Sequence, residues 1–314
     1  MTSPPDTLLR RLEWHVLRRL DGQLPGGYRT VFRGAGLDFT GLREYTPEDD
    51  VRNIDWNVTA RLDEPYVRQY TEDRELTAWL VLDRSASMRF GDVGGGKDAT
   101  HTELAVCLGR LFTRTGNRVG VVLYDNLRHR VLPPRTGRGH VLALARELGQ
   151  PLVGAGGGTR EGGAREGGIR EGGASADGTT DLAAMLHLAA ATVRRRSLVI
   201  VISDFLGTGD WESALIRLGQ RHEVVTVRIV DPVEFDLPDL GLILVEDAET
   251  GEQLLVDTGD PVFRQRLRAE AAAREDAVTA AMRRAGVVAH RLGTGDDLAQ
   301  AMIAMARGPK RGPA

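Results

Sequence analysis

The chain has 314 residues, 41% of them hydrophobic and 27% charged, with a net charge of −3. That is enough apolar mass for one large domain or two modest ones, and too little net charge to hold the protein on nucleic acid or an anionic membrane surface. The single cysteine, Cys107, excludes an intrachain disulfide, and no apolar run reaches the ~20 residues of a membrane span. The N-terminus carries no signal-peptide pattern, so a cytoplasmic protein without stable membrane insertion is the expectation. Nearly all positive charge is arginine, with lysine only at Lys97 and Lys310. We read this as the composition of a GC-rich genome, not as a phosphate-binding signal.

Residues 1–24 form a first unit. Over 6–20, Leu9, Leu12, Val16 and Leu20 recur on one helical face with arginines opposite, which predicts an amphipathic docking helix. Residues 25–75 form a second unit, with Gly26-Gly27 and Gly34-Ala-Gly36 as turns between short strands. Within it Thr46 reads as a helix N-cap and Pro47 as the first helical residue. The charges of Arg43, Asp50, Arg52, Asp55 and Arg61 suggest an ion-pair network around Trp56.

From residue 76 to 307 strand and helix alternate, the pattern of a mainly parallel sheet with helices on both faces. Strands are expected near 76–83, 118–124, 128–132, 197–203, 223–230 and 286–292. Helices are expected near 102–115, 138–149, 181–195, 211–220, 260–285 and 296–306. Gly91 to Lys97 reads as loop. Residues 154–178 repeat Arg-Glu-Gly-Gly, and glycine at that density cannot bury enough surface to offset its ordering entropy, so a flexible insertion is expected. Residues 241–257 read as a β-hairpin around Glu249-Thr-Gly251, and 308–314 as a disordered tail.

The chemistry concentrates where apolar runs end. Leu76 to Leu82 delivers Asp83-Arg-Ser85-Ala-Ser87 to the carboxyl edge of a sheet, where open α/β folds bind ligands. Ser197 to Ser203 delivers Asp204 to the same edge. Carboxylate and hydroxyl oxygens are hard ligands, suited to Mg²⁺ or Mn²⁺. The run Asp83-x-Ser85-x-Ser87 resembles the metal-ion-dependent adhesion site of von Willebrand factor A-type domains. That resemblance adds Thr180 from a second loop and Asp204 from a third. It implies hydroxyl ligation by Ser85, Ser87 and Thr180, with Asp83 and Asp204 acting through water and one coordination position left for a partner's carboxylate.

Upstream, Arg43-x-Tyr45-x-Pro47-x-Asp49-Asp50-x-Arg52-x-Ile54-Asp55-Trp56-x-x-x-Ala60-Arg61 precedes the strand that ends in Asp83 to Met88. This string is similar to the bacterial domain-of-unknown-function 58 family, with Glu48 standing where the family usually has glycine. The resemblance implies a von Willebrand factor A-like (Rossmann-like) α/β domain preceded by a small N-terminal segment with β character. It also implies a MoxR-type AAA+ ATPase as partner, acting with it on an unknown client protein. The expectation is therefore a non-enzymatic interaction module.

Two rivals stand beside it. One is a metal-independent scaffold, with Asp83 capping a turn and Ser85 and Ser87 bonding backbone. The other is a Mg²⁺-dependent phosphatase with Asp83 as nucleophile. Against the second, Ser85 occupies the place of the usual second aspartate, and the lysine needed to balance phosphate charge could come only from Lys97 or Lys310, both in loop-like stretches. The histidines show no metal-ligand spacing, and Cys107, among Leu104, Ala105, Leu108 and Leu111, reads as a buried hydrophobe.

Overall fold

The computed structural model describes residues 36–46, 54–62, 64–74, 77–91, 96–126, 128–150, 169–171, 180–207, 209–246 and 253–307. The amphipathic segment 6–20, the helix start at Thr46-Pro47 and the tail 308–314 lie largely or wholly outside them. So does most of the glycine-rich insertion.

The centre is a seven-stranded sheet in the order β11-β8-β7-β3-β4-β5-β6. β3 (Thr77–Asp83), β4 (Arg118–Asp125), β7 (Leu198–Ser203), β8 (Glu223–Val230) and β11 (Val288–Gly293) run parallel. β5 (Arg128–Arg135) and the short β6 (Ile169–Glu171) close one side antiparallel. β6 is a correction to the sequence reading, because three residues of the glycine-rich insertion pair with Arg128, His129 and Arg130.

Side chains of a strand alternate between faces, and here both faces are buried. Ala78, Leu80 and Leu82 pack with α2 (Gly96–Arg114), α3 (Arg138–Leu148) and α7 (Leu298–Arg307). Trp79 and Val81 pack with α4 (Leu182–Thr192), α5 (Trp211–Arg221) and α6 (Pro261–Arg284). Gly120 on β4 is required by this packing, since a Cβ there would stand 2.6 Å from the Trp79 ring. The result is a doubly wound, Rossmann-like α/β domain, as expected. α2 starts at Gly96, earlier than its apolar periodicity suggested, so Lys97 is helical and not loop.

β3 lies between β4 and β7, so successive strands are added to opposite sides of it. This is the switch point at whose carboxyl edge a crevice forms. Three neighbouring strands deliver an aspartate there, at Asp83, Asp204 and Asp231.

Two smaller pieces flank the sheet. β1 (Gly36–Glu44) pairs antiparallel with β2 (Tyr66–Arg74) around α1 (Trp56–Leu62). Ile54 forms a β-bridge to Val67, and Asp55, buried, accepts the Val58 N–H at 3.3 Å. The described helix begins at Trp56, which is 68% exposed, and Asp50 and Arg52 of the expected ion-pair network lie outside the described residues. β9 (Leu242–Glu246) and β10 (Gln253–Asp257) form the expected hairpin.

Candidate metal centre

Asp83 is the last residue of β3 and is fully buried. One carboxylate oxygen accepts the Ser85 N–H at 2.9 Å, and the other accepts the Ser203 hydroxyl at 2.6 Å. The first bond is a local turn two residues long. It sets Ser85 as the residue before a 3₁₀ turn, Ala86–Arg89, and brings the Ser85 and Ser87 hydroxyl oxygens to 3.1 Å. Burial, and then the Asp204 carboxylate, push the Asp83 carboxyl up to about 6. Among the described residues no cationic side chain bonds it.

Asp204 follows β7 and is also buried. One of its oxygens accepts the Leu206 N–H at 3.0 Å, and its backbone carbonyl accepts the Arg228 Nε–H at 3.0 Å. Phe205 then turns the chain with φ +56°, left-handed backbone that a bulky residue adopts only under constraint. The constraint is visible. Its N–H donates to Ser203 Oγ at 2.9 Å, and its buried ring packs against Trp211 at 5.6 Å. Ser203 thus holds Asp83 and the strained turn together.

The second carboxylate oxygen of Asp204 accepts from Lys97 Nζ at 2.8 Å. Lys97 is fully buried at the start of α2, and its ammonium also bonds Glu234. Burial alone would lower its pKa, but Asp204 and Glu234 outweigh that and hold it above the ordinary lysine value. Glu234 is fixed from the other side, its second oxygen accepting the Asp231 N–H at 3.2 Å in a capping box after β8. Asp231 accepts Val233 N–H and Thr294 Oγ–H, both at 2.9 Å. Gly91 lies against it, where a Cβ would stand 2.2 Å from the Asp231 carboxylate.

Thr180, buried, precedes α4, whose cap is Asp181 accepting the Ala184 N–H at 2.9 Å. Its loop packs on the loop after Asp204, since a Cβ at Gly207 would stand 2.5 Å from the Thr180 carbonyl oxygen.

Of the five residues expected from the sequence, Asp83, Ser85 and Ser87 form one bonded unit. Asp204 acts on Asp83 electrostatically and through its neighbour Ser203. Thr180 joins through backbone packing. Sequence reasoning missed Ser203, Lys97, Glu234 and Asp231. Ser203 carried a signal, as the residue before a strand-end aspartate. Lys97 carried a weaker one, as one of only two lysines.

The donor set fits a hard cation in some respects. Its oxygens are hydroxyls and carboxylates, and the Tyr124 hydroxyl, buried at the end of the adjacent strand, has no hydrogen-bond partner among the described residues. Burial, followed by Asp181, Asp83 and Asp125, pushes that phenol up to about 12. Among the described residues no group of three or more His, Cys, Asp or Glu could hold a metal. Any ion would depend on the hydroxyls.

The family model described as "Protein of unknown function DUF58" matches residues 41–277. The chain belongs to the DUF58 family. Among its relatives, uncharacterized protein Rv1480 of Mycobacterium tuberculosis (strain ATCC 25618 / H37Rv) and uncharacterized protein Mb1516 of Mycobacterium bovis are each 35% identical over 243 residues, 77% of this DUF58 chain and 70% of the relative. The solved structure of conserved hypothetical protein BatB from Bacteroides thetaiotaomicron aligns with TM-score 0.44 and 15% identity over 74% of this chain and 96% of that one. An aerotolerance-related membrane protein from Bacteroides fragilis aligns with TM-score 0.43 and 15% identity, covering 74% and 98%. Among the described residues of this chain, no helix is long and apolar enough to cross a membrane.

Proposed function

We propose that this DUF58 protein is a non-enzymatic interaction module whose Mg²⁺ or Mn²⁺ takes a carboxylate from a partner protein. Ser85, Ser87 and Thr180 would hold the ion directly, and Asp83 and Asp204 would orient its shell. Bound there, the ion supplies a Lewis-acidic position for an Asp or Glu side chain. The observation that carries the reading is Asp83: a buried carboxylate at the switch point, tied to the hydroxyl-bearing turn and, among the described residues, bonded by no cation. Both its oxygens already accept protein donors, so it suits orienting a shell better than direct ligation. The upstream string supports a MoxR-type AAA+ ATPase as the working partner, engaged with it on an unknown client, in the cytoplasm.

A metal-independent scaffold is the second reading, and one observation favours it. The Lys97 ammonium already satisfies Asp204. The phosphatase reading gains a lysine near Asp83 but is not helped by it. Lys97 is sealed from solvent between two carboxylates, and both Asp83 oxygens are engaged by protein donors.

The test is calorimetric titration of the full chain with MgCl2 and MnCl2, with Ser85→Ala and Ser87→Ala as variants. Binding by wild type that both variants lose supports the module. Equal heats in all three, or none in wild type, overturn it in favour of the scaffold. Turnover of para-nitrophenyl phosphate that Asp83→Asn abolishes would instead establish the enzyme.

A further inference from the structure

Buried hydroxyls in native folds are hydrogen-bonded, and an exception calls for an explanation. Tyr124 is such an exception. It is 2% exposed, and its hydroxyl has no partner among the described residues. Phenylalanine would fill the same apolar surroundings without stripping a hydroxyl of water. Other buried side-chain atoms without a partner lie away from the candidate site. Those of His222 stand before β8 at the amino edge, and those of His101 on α2, across the sheet.

The strand register sets Tyr124 beside Asp83. β3 and β4 are parallel, Tyr124 is the Cα partner of Asp83, and the Arg84 N–H donates to the Tyr124 carbonyl at 2.7 Å. Strand side chains alternate between faces. Val81 and Val122 pack on the α4 face, so Asp83 and Tyr124, two residues further on, project to that face too. Ile202 pairs with Leu82 on the opposite face, which puts Ser203 on the α4 face as well. Ser203, Asp83 and Tyr124 therefore form one row across β7, β3 and β4. Ser203 bonds Asp83 from the β7 side, at 2.6 Å. Tyr124 stands on the β4 side.

The end of β4 also fastens the Thr180 loop. Asn126 Oδ1 accepts the Asp181 N–H at 3.0 Å, and Leu182 shares an apolar cluster with Tyr124. The phenol thus lies next to the strand that carries Asp83 and to the loop that carries Thr180. Burial first, then the carboxyl groups of Asp181, Asp83 and Asp125, hold it above its ordinary value, so it is a neutral hydroxyl among acidic groups. Mg²⁺ keeps several waters when it binds protein oxygens. Such waters point their hydrogens outward and need acceptors, and a neutral phenol oxygen is one.

We propose that Tyr124 is a positioning residue of the ion site, its hydroxyl oxygen accepting a hydrogen bond from a water in the shell of the Mg²⁺ or Mn²⁺. The inference rests on the ion reading above and extends it to the end of β4. Groups that orient a metal's shell in this way set its affinity, and their loss weakens binding by about 10–100-fold.

The test titrates the full chain with MgCl2 by calorimetry, as wild type, Tyr124→Phe and Ser85→Ala, and follows urea unfolding of each without divalent cation. Tyr124→Phe should bind Mg²⁺ about ten-fold more weakly than wild type. It should unfold at the same or higher urea, because the hydroxyl it loses had no bond within the fold. Adding Mg²⁺ to wild type should perturb the tyrosine ultraviolet absorption, and Tyr124→Phe should lack that difference band. Equal Mg²⁺ affinity in wild type and Tyr124→Phe, with Ser85→Ala still losing it, overturns this inference alone and leaves the interaction module standing. Unfolding of Tyr124→Phe at lower urea without cation also overturns it, since the hydroxyl then serves the fold. No Mg²⁺ heat in wild type overturns the ion reading and this inference with it.

Discussion

Replacing Lys97 by methionine tests whether a protein-borne cation organises the candidate site. Methionine keeps most of the side-chain length and removes the charge. Two carboxylates then lose their counter-ion: Asp204, whose side chain is 2% exposed, and Glu234, whose side chain is 16% exposed. Removing one partner of a buried ion pair costs about 3–5 kcal/mol, because the remaining charge stays buried and unpaired. Glu234 is partly wetted and retains its bond to the Asp231 N–H, so the expected loss sits near the lower end, about 3 kcal/mol. Against a domain stability of roughly 5–15 kcal/mol this is a large fraction, readily seen in urea unfolding. A second arm separates charge from packing. Lys97→Met combined with Asp204→Asn and Glu234→Gln should recover much of the loss, since no uncompensated charge remains. Divalent cation should also stabilise Lys97→Met more than wild type, because the vacated carboxylates become available to it. If Lys97→Met unfolds within about 0.5 kcal/mol of wild type, the typical effect of a surface change, the ammonium does not hold Asp204 and the account of the site is wrong.

Three further outcomes follow from the same geometry. Ser203→Ala removes the hydroxyl donor to Asp83 and the acceptor for Phe205 N–H, and should cost about 1–3 kcal/mol in urea unfolding, with Mg²⁺ heats reduced as Asp83 loses its orientation. Gly207→Ala drives a Cβ into the Thr180 carbonyl and Leu182, so it should weaken Mg²⁺ binding while circular dichroism stays native; unchanged binding would separate Thr180 from the site. Burial, then Arg84, push His101 down to about 3 from 6.5. Between those values the unfolded chain holds a proton that the folded chain does not, so stability falls as pH falls, by up to about 1.4 kcal/mol per unit. His101→Phe should remove that slope relative to wild type, read from unfolding midpoints between pH 6.5 and pH 4. Asp83, raised from 3.8 to about 6, works in the opposite sense over its own window, because the folded chain holds the proton there and stability falls as pH rises.

The fold was legible because both of its periodicities are strong. β3 and β7 are continuous apolar runs that end in polar residues, the signature of strands buried on both faces. Helices such as α5, with Ala214, Leu215 and Leu218 buried on one side, announced themselves by their spacing. Three of the candidate ligands were legible as well, since Asp83, Ser85 and Ser87 sit within one turn and their bonding is local. What was not legible depends on pairs far apart in the chain. Ser203 meets Asp83 across 120 residues, and Lys97 meets Glu234 across 137. The three residues of β6 were hidden in a glycine-rich run, because their strand state is imposed by the edge of β5 and not by their own propensity.

Lys97 was the hardest to read, for a physical reason. A lysine in the first turn of a helix opposes the positive end of the helix dipole, and after Gly94-Gly-Gly96 the local sequence argues for loop. The tertiary structure overrides both preferences by placing Asp204 and Glu234 where the ammonium ends. That override bears on function. Asp83 and Asp204 are neighbouring buried carboxylates, and two such charges cannot both stay ionised cheaply without a cation. Among the described residues, the Lys97 ammonium bonds one of these carboxylates, that of Asp204. Asp83 keeps an elevated pKa, two fixed donors and a pair of hydroxyls beside it. The site therefore has a half that is neutralised within the fold and a half that is not. Whether a divalent ion completes the second half is decided at Ser85 and Ser87, since a cation bound by charge alone would tolerate their loss and one bound through their hydroxyl oxygens would not.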